Sequence, residues 1–332
     1  MMTALIVDRC GPGASVQDWG RVGWRRHGVS SAGAADRLAL AVANKLVGNP
    51  AHVAAVETTL ASARFRVEGG TVLVAVAGPG VTLSIDGRGV ASGVSARAEP
   101  GQSVDIGPLR GGVHGYLAVA GGIASPTEMG SRSVHLRSGI GGAMLASGAR
   151  LPVGGGACEP LTLEHLPDHE NGPIRVMAGP QDDCFPPGAM TDLIGAQLVV
   201  DVRSDRMGRF LNGPHIPPLA GSMVSDGVLP GSIQVPPSGR LIVLMRDCQT
   251  TGGYPKIATV ISADLDRLAQ MQAGAAFTLA LVDRDTAVQA AARFSATIAG
   301  MVPRPAGGLD SARLLATSLI SGVVDARHGE GG

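Results

Sequence analysis

Short runs of apolar residues, many alternating with polar ones, recur along most of this chain. In the first half they are ARFRV, TVLVAVAG, VTLSIDG, SVDIG and GYLAVAGGI, and in the second half PIRVMAGPQ, RLIVLM and AFTLALVD. Glycine or proline closes most of these runs. Short runs bounded by turn residues are typical of β-strands. The pattern therefore predicts a mainly-β protein with many short strands.

Three segments have the periodicity of a helix instead. In DRLALAVANKLVGNP, apolar residues recur at Leu38, Val42 and Leu46. Asp36 is placed to cap the start of this helix, and the sequence GNP is expected to stop it. SADLDRLAQMQAG, with Ser262 as its cap, and RDTAVQAAARFSATIAG are predicted to form two more helices.

The length of the chain favours two domains. Its 332 residues exceed the size at which a single core usually keeps growing. A glycine-rich segment from 130 to 156 also interrupts the regular pattern. We predict an N-terminal domain over residues 1–160, a C-terminal domain over 161–300 and a peripheral tail over 301–332.

Composition and charge exclude several classes of protein. With 27 basic and 27 acidic side chains, no overall field would attract nucleic acid. The chain has no apolar run of about 18 residues, which argues against a membrane span, and its first apolar run is too short for a signal peptide. Its four cysteines form no CxxC pair, and a cytoplasmic protein is expected. Pro167 separates His165 from His169, so no metal site is predicted.

The segment RDCQTTGGYPK concentrates unusual chemistry directly after the apolar run RLIVLM. It holds Lys256, one of two lysines in the chain, and Tyr254, one of two tyrosines. An ammonium can lose its proton whereas a guanidinium stays charged. Lys256 and Tyr254 are therefore candidate catalytic residues. The alternatives are a surface lysine and a tyrosine used for packing.

Other polar groups in the same segment are candidates for catalysis or binding. Asp247 is a candidate for proton transfer, and Gln249 for substrate binding, although both residue types also stabilise turns. Gly252 and Gly253 would let the backbone approach a ligand and expose amide groups to it.

Three further segments, GPQDD, SDRMGRFL and SDGVLPGSIQVPPSG, also place polar residues at strand ends. They supply Gln181, Arg206 and Gln234 as candidate substrate-binding residues. A guanidinium can grip a carboxylate or phosphate with two hydrogen bonds, but a surface pair between Asp205 and Arg206 is the alternative. Secondary candidates come from VQDWGRVGWRRHG, namely Gln17, Asp18 and Arg21. Trp19 and Trp24 in that loop are expected to serve packing or an interface.

Nine segments in order resemble the carboxyltransferase-domain, allophanate hydrolase subunit 2 family. They are VQDWGRVG, GVSSAGAAD, ANKLVGN, YLAVAGGI, GSRS, AGPQDD, SDRMG, GSIQVPPSG and DCQTTGGYPKIATVISADLDRLAQ. The resemblance implies two cyclophilin-like β-barrel domains. It also implies a hetero-oligomer with a separate partner, a homologue of the B subunit of the allophanate hydrolase subunit 1 type.

The activity that the resemblance implies is ATP-dependent cleavage of 5-oxoproline to glutamate, together with a lactam-opening subunit. ATP with magnesium would act at the level of the complex. In this interpretation Lys256 and Arg206 stabilise developing charge, Tyr254 and Asp247 handle protons, and the amide-bearing residues orient the substrate. Two alternatives remain open, namely biotin-dependent carboxyl transfer to urea or another small amide, and a non-catalytic regulator of a partner protein.

One position departs from the family pattern. The family usually carries a glutamate just ahead of the SDG turn, and Ser222 occupies that place in this chain. If the glutamate contacts substrate in relatives, a slower reaction or a different substrate is expected here.

Overall fold

The N-terminal half of the chain folds into two antiparallel sheets around one apolar core. A computed structural model describes residues 2–156, 159–219 and 223–307. The strands of this half are β1 (Ala4–Cys10), β2 (Ser15–Gln17), β3 (Ala55–Thr59), β4 (Ala63–Glu68), β5 (Val72–Ala77), β6 (Leu83–Ile85), β7 (Arg88–Val90), β8 (Ala96–Ala98), β9 (Ser103–Ile106), β10 (His114–Val119) and β11 (Arg150–Pro152). One sheet has the order β11-β1-β4-β9-β6-β7 and the other β2-β3-β10-β5-β8. Both sheets contribute to one core, which includes Leu5, Phe65 and Leu117.

The C-terminal half is built on one eight-stranded sheet. Its order is β21-β14-β15-β18-β17-β20-β13-β22. The strands of this half are β12 (Leu161–Thr162), β13 (Ile174–Ala178), β14 (Leu198–Val200), β15 (Gly208–Asn212), β16 (Asp226–Gly227), β17 (Ser232–Gln234), β18 (Leu241–Leu244), β19 (Thr251–Gly252), β20 (Lys256–Val260), β21 (Ala276–Phe277), β22 (Leu279–Leu281) and β23 (Arg304–Pro305).

The eight-stranded sheet closes on itself through one continuous segment. Only Thr278 separates β21, at one edge of the sheet, from β22, at the other edge. The run AFTLALVD, predicted as one strand, therefore forms two short strands that pair with opposite edges. Strands hold 31% of residues and helices 16%, which confirms the mainly-β prediction.

Four α-helices lie among the described residues: α1 (Arg37–Leu46), α2 (Ala189–Gly195), α3 (Leu265–Gln270) and α4 (Arg284–Gly300). The predicted cap of α1 is confirmed, because the Asp36 carboxylate accepts a hydrogen bond of 2.9 Å from the Ala39 amide. The predicted cap of α3 is wrong, since Ser262 lies in a turn and the helix starts after Asp264. Helix α2, which has no side-chain cap, was not predicted.

The two halves share apolar contacts. Ile298 of α4 packs in the cluster around α1, although α4 comes late in the sequence. Ala35, just before α1, belongs to the C-terminal core. The boundary at 160 and 161 stays a prediction, and the predicted tail lies outside the described residues from 308 onward. Among the helices that the structure describes, none has the length and apolarity needed to cross a membrane.

Candidate functional site

Lys256 is buried and anchored at the start of β20. Its side chain is 4% exposed, and Nζ donates hydrogen bonds to Asp226 Oδ2 at 2.6 Å and to the carbonyl of Gly227 at 3.0 Å. Strand β16, which carries both acceptors, pairs with β19 of the RDCQTTGGYPK segment. The surface-lysine interpretation is therefore wrong.

Two predicted glutamines lie around this ion pair. Gln181 accepts a hydrogen bond of 3.2 Å from the Lys256 amide and donates one of 3.0 Å to Asp226 Oδ2. Gln234 donates to the Tyr254 carbonyl at 3.4 Å. Gly252 pairs with Asp226 across the two short strands. We call the group of Gln181, Asp226, Gln234, Gly252 and Lys256 the lysine cluster.

Gly252 serves close packing within this region. A Cβ atom at Gly252 would lie 2.5 Å from Nε2 of Gln234, too close for any larger residue without a shift. A Cβ atom at Gly253 would lie 3.3 Å from the nearest atom, the Met223 carbonyl oxygen, so the constraint there is weaker. Gly252 thus lets the paired strands β16 and β19 lie close to Gln234 of the barrel.

Asp226 is the ionised group that the lysine cluster presents to solvent. The hydrogen bond from Lys256 lowers the pKa of this carboxyl, and bonds from the Gly227 amide and Gln181 lower it further. Its side chain is 49% exposed, and Tyr254 nearby in the chain is 40% exposed. A fixed carboxylate beside a buried ammonium can accept a hydrogen bond from the N–H of a small amide, whereas its lowered pKa makes it a weak base.

Arg206 and Asp247 belong to a second cluster, between the two halves of the chain. Nε and Nη2 of Arg206 each lie 2.9 Å from a different oxygen of Asp247. Nη1 donates to Glu57 on β3, and Nη2 also donates to the Gly33 carbonyl at 2.6 Å. Asp205 instead accepts from backbone amides within its own turn. The alternative interpretation, a surface pair between Asp205 and Arg206, is therefore wrong.

Glu57 extends this second cluster into the N-terminal core. It accepts hydrogen bonds from the Ala35 amide at 2.9 Å and from the Tyr116 hydroxyl at 2.7 Å. Burial alone would raise the pKa of Glu57, but the charges of Arg206 and His114 hold it well below its usual range. Arg206 is thus fixed by two carboxylates from opposite halves. We call Glu57, Arg206 and Asp247 the bridging cluster.

The secondary candidates organise a loop of the N-terminal half. Asp18 accepts from the hydroxyls of Ser131 at 2.6 Å and Ser133 at 2.5 Å, and from the Arg132 amide at 2.7 Å. Gln17 donates to the Val134 carbonyl at 3.0 Å. These contacts give both residues a role in loop structure.

The Arg21 side chain forms no hydrogen bond of this kind with the described residues. Its side chain is among the largest that are fully buried, with the residue 1% exposed, and none of its three guanidinium nitrogens has a hydrogen-bond partner among the described residues. Burial lowers the pKa of Arg21. The charges of Asp18, Glu128 and Asp247 raise it, but they offset only part of this effect.

The N-terminal loops also hold the RDCQTTGGYPK segment in place. His135 Nε2 lies 3.0 Å from the Asp247 carbonyl. One nitrogen of Arg25 donates to the Gln249 carbonyl at 2.7 Å and to the Val228 carbonyl at 2.6 Å. The predicted site residues therefore divide among the lysine cluster, the bridging cluster and the N-terminal loop. Three lie outside these groups: Gln249 is held by its backbone, and Gly253 and Tyr254 follow Gly252 in the chain.

Several of the residues that build these clusters are not among the candidates predicted from the sequence. Asp226 lies in SDGVLPGSIQVPPSG, the segment that supplies Gln234. Glu57 is the sole charged residue in the run AAVETTLA, and a charge inside an apolar strand is a signal that could have found it. His135 and Arg25 come from loops with no local signal. Ser222 lies outside the described residues.

Residues 27–281 match the family described as Carboxyltransferase domain, subdomain A and B. The chain belongs to this family. This carboxyltransferase domain is 38% identical to the C subunit of 5-oxoprolinase from Escherichia coli (strain K12) over 277 residues, which covers 81% of this chain and 88% of that protein.

Two solved structures resemble the carboxyltransferase domain. The crystal structure of TTHA0988 is 32% identical with a TM-score of 0.75, and the match covers 84% of this chain and 56% of that one. The Kluyveromyces lactis Urea Carboxylase is 23% identical with a TM-score of 0.81, and the match covers 89% and 29%. This chain thus spans about half the length of the first protein and less than a third of the second. The second likeness shows the fold alone.

Replacing Arg21 by methionine in this carboxyltransferase domain is expected to raise the free energy of unfolding by about 1–3 kcal/mol, because it removes a buried cation whose guanidinium has no hydrogen-bond partner among the described residues. Urea denaturation at pH 7 measures the change. Arg132→Met is the matched control, since Arg132 Nε donates to the Ser125 carbonyl at 2.7 Å. We expect the control to lose about 1 kcal/mol. Equal losses in both variants would contradict the prediction.

The stability of the carboxyltransferase domain is expected to fall as the pH rises above about 6.5. His169 Nε2 lies 2.9 Å from Asp36 Oδ2. Burial alone would lower the pKa of His169, but the hydrogen bond and charge of Asp36 outweigh burial and raise it. A group whose pKa is higher in the folded protein stabilises the fold fully at pH values below the pKa of the unfolded chain. This stabilisation is lost as the pH rises through the pKa of the folded protein.

Urea midpoints at pH 6, 7 and 8 test this dependence. In His169→Gln, the decrease in the urea midpoint between pH 6 and pH 8 that His169 causes should disappear. His165→Gln is the control, because the His165 side chain is 92% exposed. A fall of unchanged size in His169→Gln would assign the pH dependence to other groups.

Proposed function

We propose that this chain is the C subunit of an ATP-dependent 5-oxoprolinase, which acts with partner subunits to convert 5-oxoproline to glutamate. The observation that carries the proposal is the 38% identity to the Escherichia coli protein over 88% of its length. A match over so much of both proteins supports a shared role more strongly than a single shared motif would. The partners would be a homologue of the B subunit, of the allophanate hydrolase subunit 1 type, and a lactam-opening subunit, all in the cytoplasm.

The lysine cluster supports a small amide as the substrate. A lactam presents one N–H and one C=O to its binding site, so it needs an acceptor and a donor. The half-exposed carboxylate of Asp226 is such an acceptor. Tyr254, a residue that is 40% exposed, carries a hydroxyl that is able to donate. Lys256 keeps Asp226 ionised and in place.

Lys256 and Arg206 do not fit the phosphates of ATP in their present arrangement. The Lys256 ammonium is bonded to Asp226 and Gly227. All three nitrogens of the Arg206 guanidinium are bonded to the bridging cluster or to Gly33. We therefore assign ATP and magnesium to the complex as a whole and no ATP-dependent step to these two residues.

The alternative functions have weaker support. The likeness to Kluyveromyces lactis Urea Carboxylase, at 23% identity, extends to the fold alone, so it does not favour carboxyl transfer from biotin to urea. A regulator without catalysis would rest on Ser222, which lies outside the described residues. Carboxyl transfer from biotin is one of the outcomes that the reconstitution below distinguishes.

Reconstitution of the complex tests the proposal. We expect glutamate to be released from 5-oxoproline when this chain, its B-type partner, the lactam-opening subunit and ATP are all present. Omitting this chain should abolish the release. Unchanged release without this chain would contradict the proposal. Carboxylation of urea by carboxybiotin in its place would favour the first alternative.

A further inference from the structure

A cavity of about 380 Å³ lies where both halves of the chain meet helix α4. Its walls include Trp19 and Arg37 from the N-terminal half, Arg246 and Ser262 from the C-terminal half, and Phe294 and Ile298 from α4. None of these residues belongs to the lysine cluster or the bridging cluster. The volume falls in the range of small-molecule sites, which often lie between domains.

Two arginine side chains in this cavity have few hydrogen bonds. Nη2 of Arg37 donates to the Trp19 carbonyl at 3.0 Å, and Nη2 of Arg246 donates to Asp266 Oδ1 at 2.6 Å. The Nε atoms of both are buried without a partner among the described residues. No hydrogen bond joins Nη1 of either arginine to a described residue. Each guanidinium thus forms hydrogen bonds to the described residues through one of its three nitrogens.

Asp266 contacts both arginines, but in different ways. Its Oδ1 accepts from the Arg246 guanidinium, whereas its Oδ2 accepts from the backbone amide of Arg37 at 2.9 Å. Burial, and then the charge of Arg246, lowers the pKa of Arg37 to about 10, although the charges of Asp266 and Asp18 oppose this fall. Arg37 therefore remains charged at pH 7. Among the described residues, no carboxylate lies within ion-pair distance of the Arg37 guanidinium, which donates to the Trp19 carbonyl instead.

The charged and apolar side chains that line the cavity indicate what kind of ligand it can bind. A planar carboxylate matches the hydrogen-bonding edge of a guanidinium. A monocarboxylate would give the Arg37 guanidinium the direct ion pair that it lacks among the described residues. The rings of Trp19 and Phe294 offer an apolar surface beside the charged groups. We propose that this cavity binds a small monocarboxylate with an apolar body, held by Arg37 and Arg246.

Tryptophan fluorescence can report on this cavity directly. The chain has two tryptophans, so Trp24→Phe leaves Trp19 as the sole one. The full-length variant is titrated with 5-oxoproline, acetate and inorganic phosphate in separate series. We expect a saturable change with 5-oxoproline, whose ring methylenes can pack on Trp19 and Phe294, and a weaker affinity for acetate, which has no ring.

Variants of the cavity walls complete the test. In the Trp24→Phe background, Arg37→Gln should weaken binding about ten-fold or more, because a charged hydrogen bond is lost. Arg88→Gln, on the exposed strand β7, is the matched control and should bind normally. Ala291→Phe, on the partly exposed wall formed by α4, should fill the cavity and abolish binding while the melting temperature stays close to that of the parent.

Several results would overturn the proposal. These are the absence of any saturable response to 5-oxoproline, equal affinities in Arg37→Gln and Arg88→Gln, undiminished binding in Ala291→Phe, and a response to phosphate alone. The titrations need neither ATP nor partner subunits. A failed 5-oxoprolinase assay would therefore leave this result unaffected, and the reverse also holds.

Discussion

Replacing Arg206 by methionine is expected to lower the free energy of unfolding by about 3–5 kcal/mol. Arg206 is the one cation in the bridging cluster, and it bonds to both oxygens of Asp247 and to Glu57. Both carboxylates are buried, with Glu57 at 0% and Asp247 at 7% exposure. Without Arg206 two negative charges would face each other away from water. Urea denaturation of the purified chain at pH 7 measures this loss.

The same region offers a matched control. Arg203 also forms an ion pair with a nearby aspartate, Asp201, but the Arg203 side chain is 51% exposed. Arg203→Met should therefore lose only a small fraction of the stability that Arg206→Met loses, because water screens an exposed pair. Adding Glu57→Gln to Arg206→Met should recover part of the larger loss, because it removes one of the two unpaired charges. Similar losses in Arg203→Met and Arg206→Met would show that the bridging cluster is no stronger than a surface pair.

The elements of the fold with local signals were predictable from the sequence. Helix α1 has apolar periodicity, a capping aspartate and a GNP stop, and these local features agree with one another. Closure of the barrel by β21 and β22 had no such signal, because it depends on pairing with β14 and β13, which lie far away in the sequence. The start of α3 was missed for a related reason. The Asp264 carboxylate binds Arg175 at a distance of 2.5 Å, a tertiary contact that fixes the turn before the helix.

The candidate site was predictable as a set of segments but not as an arrangement. Asp247 and Lys256 are close in sequence, yet they belong to different clusters. The reason is β19, which lies between them and pairs with β16. That pairing brings Asp226 to Lys256. Arg206 binds Asp247 and, across the two halves, Glu57. Sequence composition identified Lys256 as unusual, but partners supplied by distant strands cannot be identified from local pattern.

In the reconstituted complex, Lys256→Met is expected to lower kcat for 5-oxoproline by about 100- to 1,000-fold, the range seen when one electrostatic contact at a reaction centre is lost. Lys256 holds Asp226 beside the half-exposed face of the lysine cluster. Without the ammonium, the carboxylate loses the interaction that most lowers its pKa and its fixed position. Glutamate release under saturating ATP measures the effect.

The chain itself supplies the control, since Lys45 near the end of α1 is its other lysine. Lys45→Met should leave kcat within about two-fold of the parent, the ordinary scatter of surface variants. The melting temperature of Lys256→Met should stay well above the assay temperature, because water solvates the half-exposed Asp226 once its partner is gone. Lys256→Arg keeps the positive charge but cannot release a proton. Full activity in Lys256→Arg would limit the role of Lys256 to holding Asp226, whereas full activity in Lys256→Met would remove the lysine cluster from the reaction.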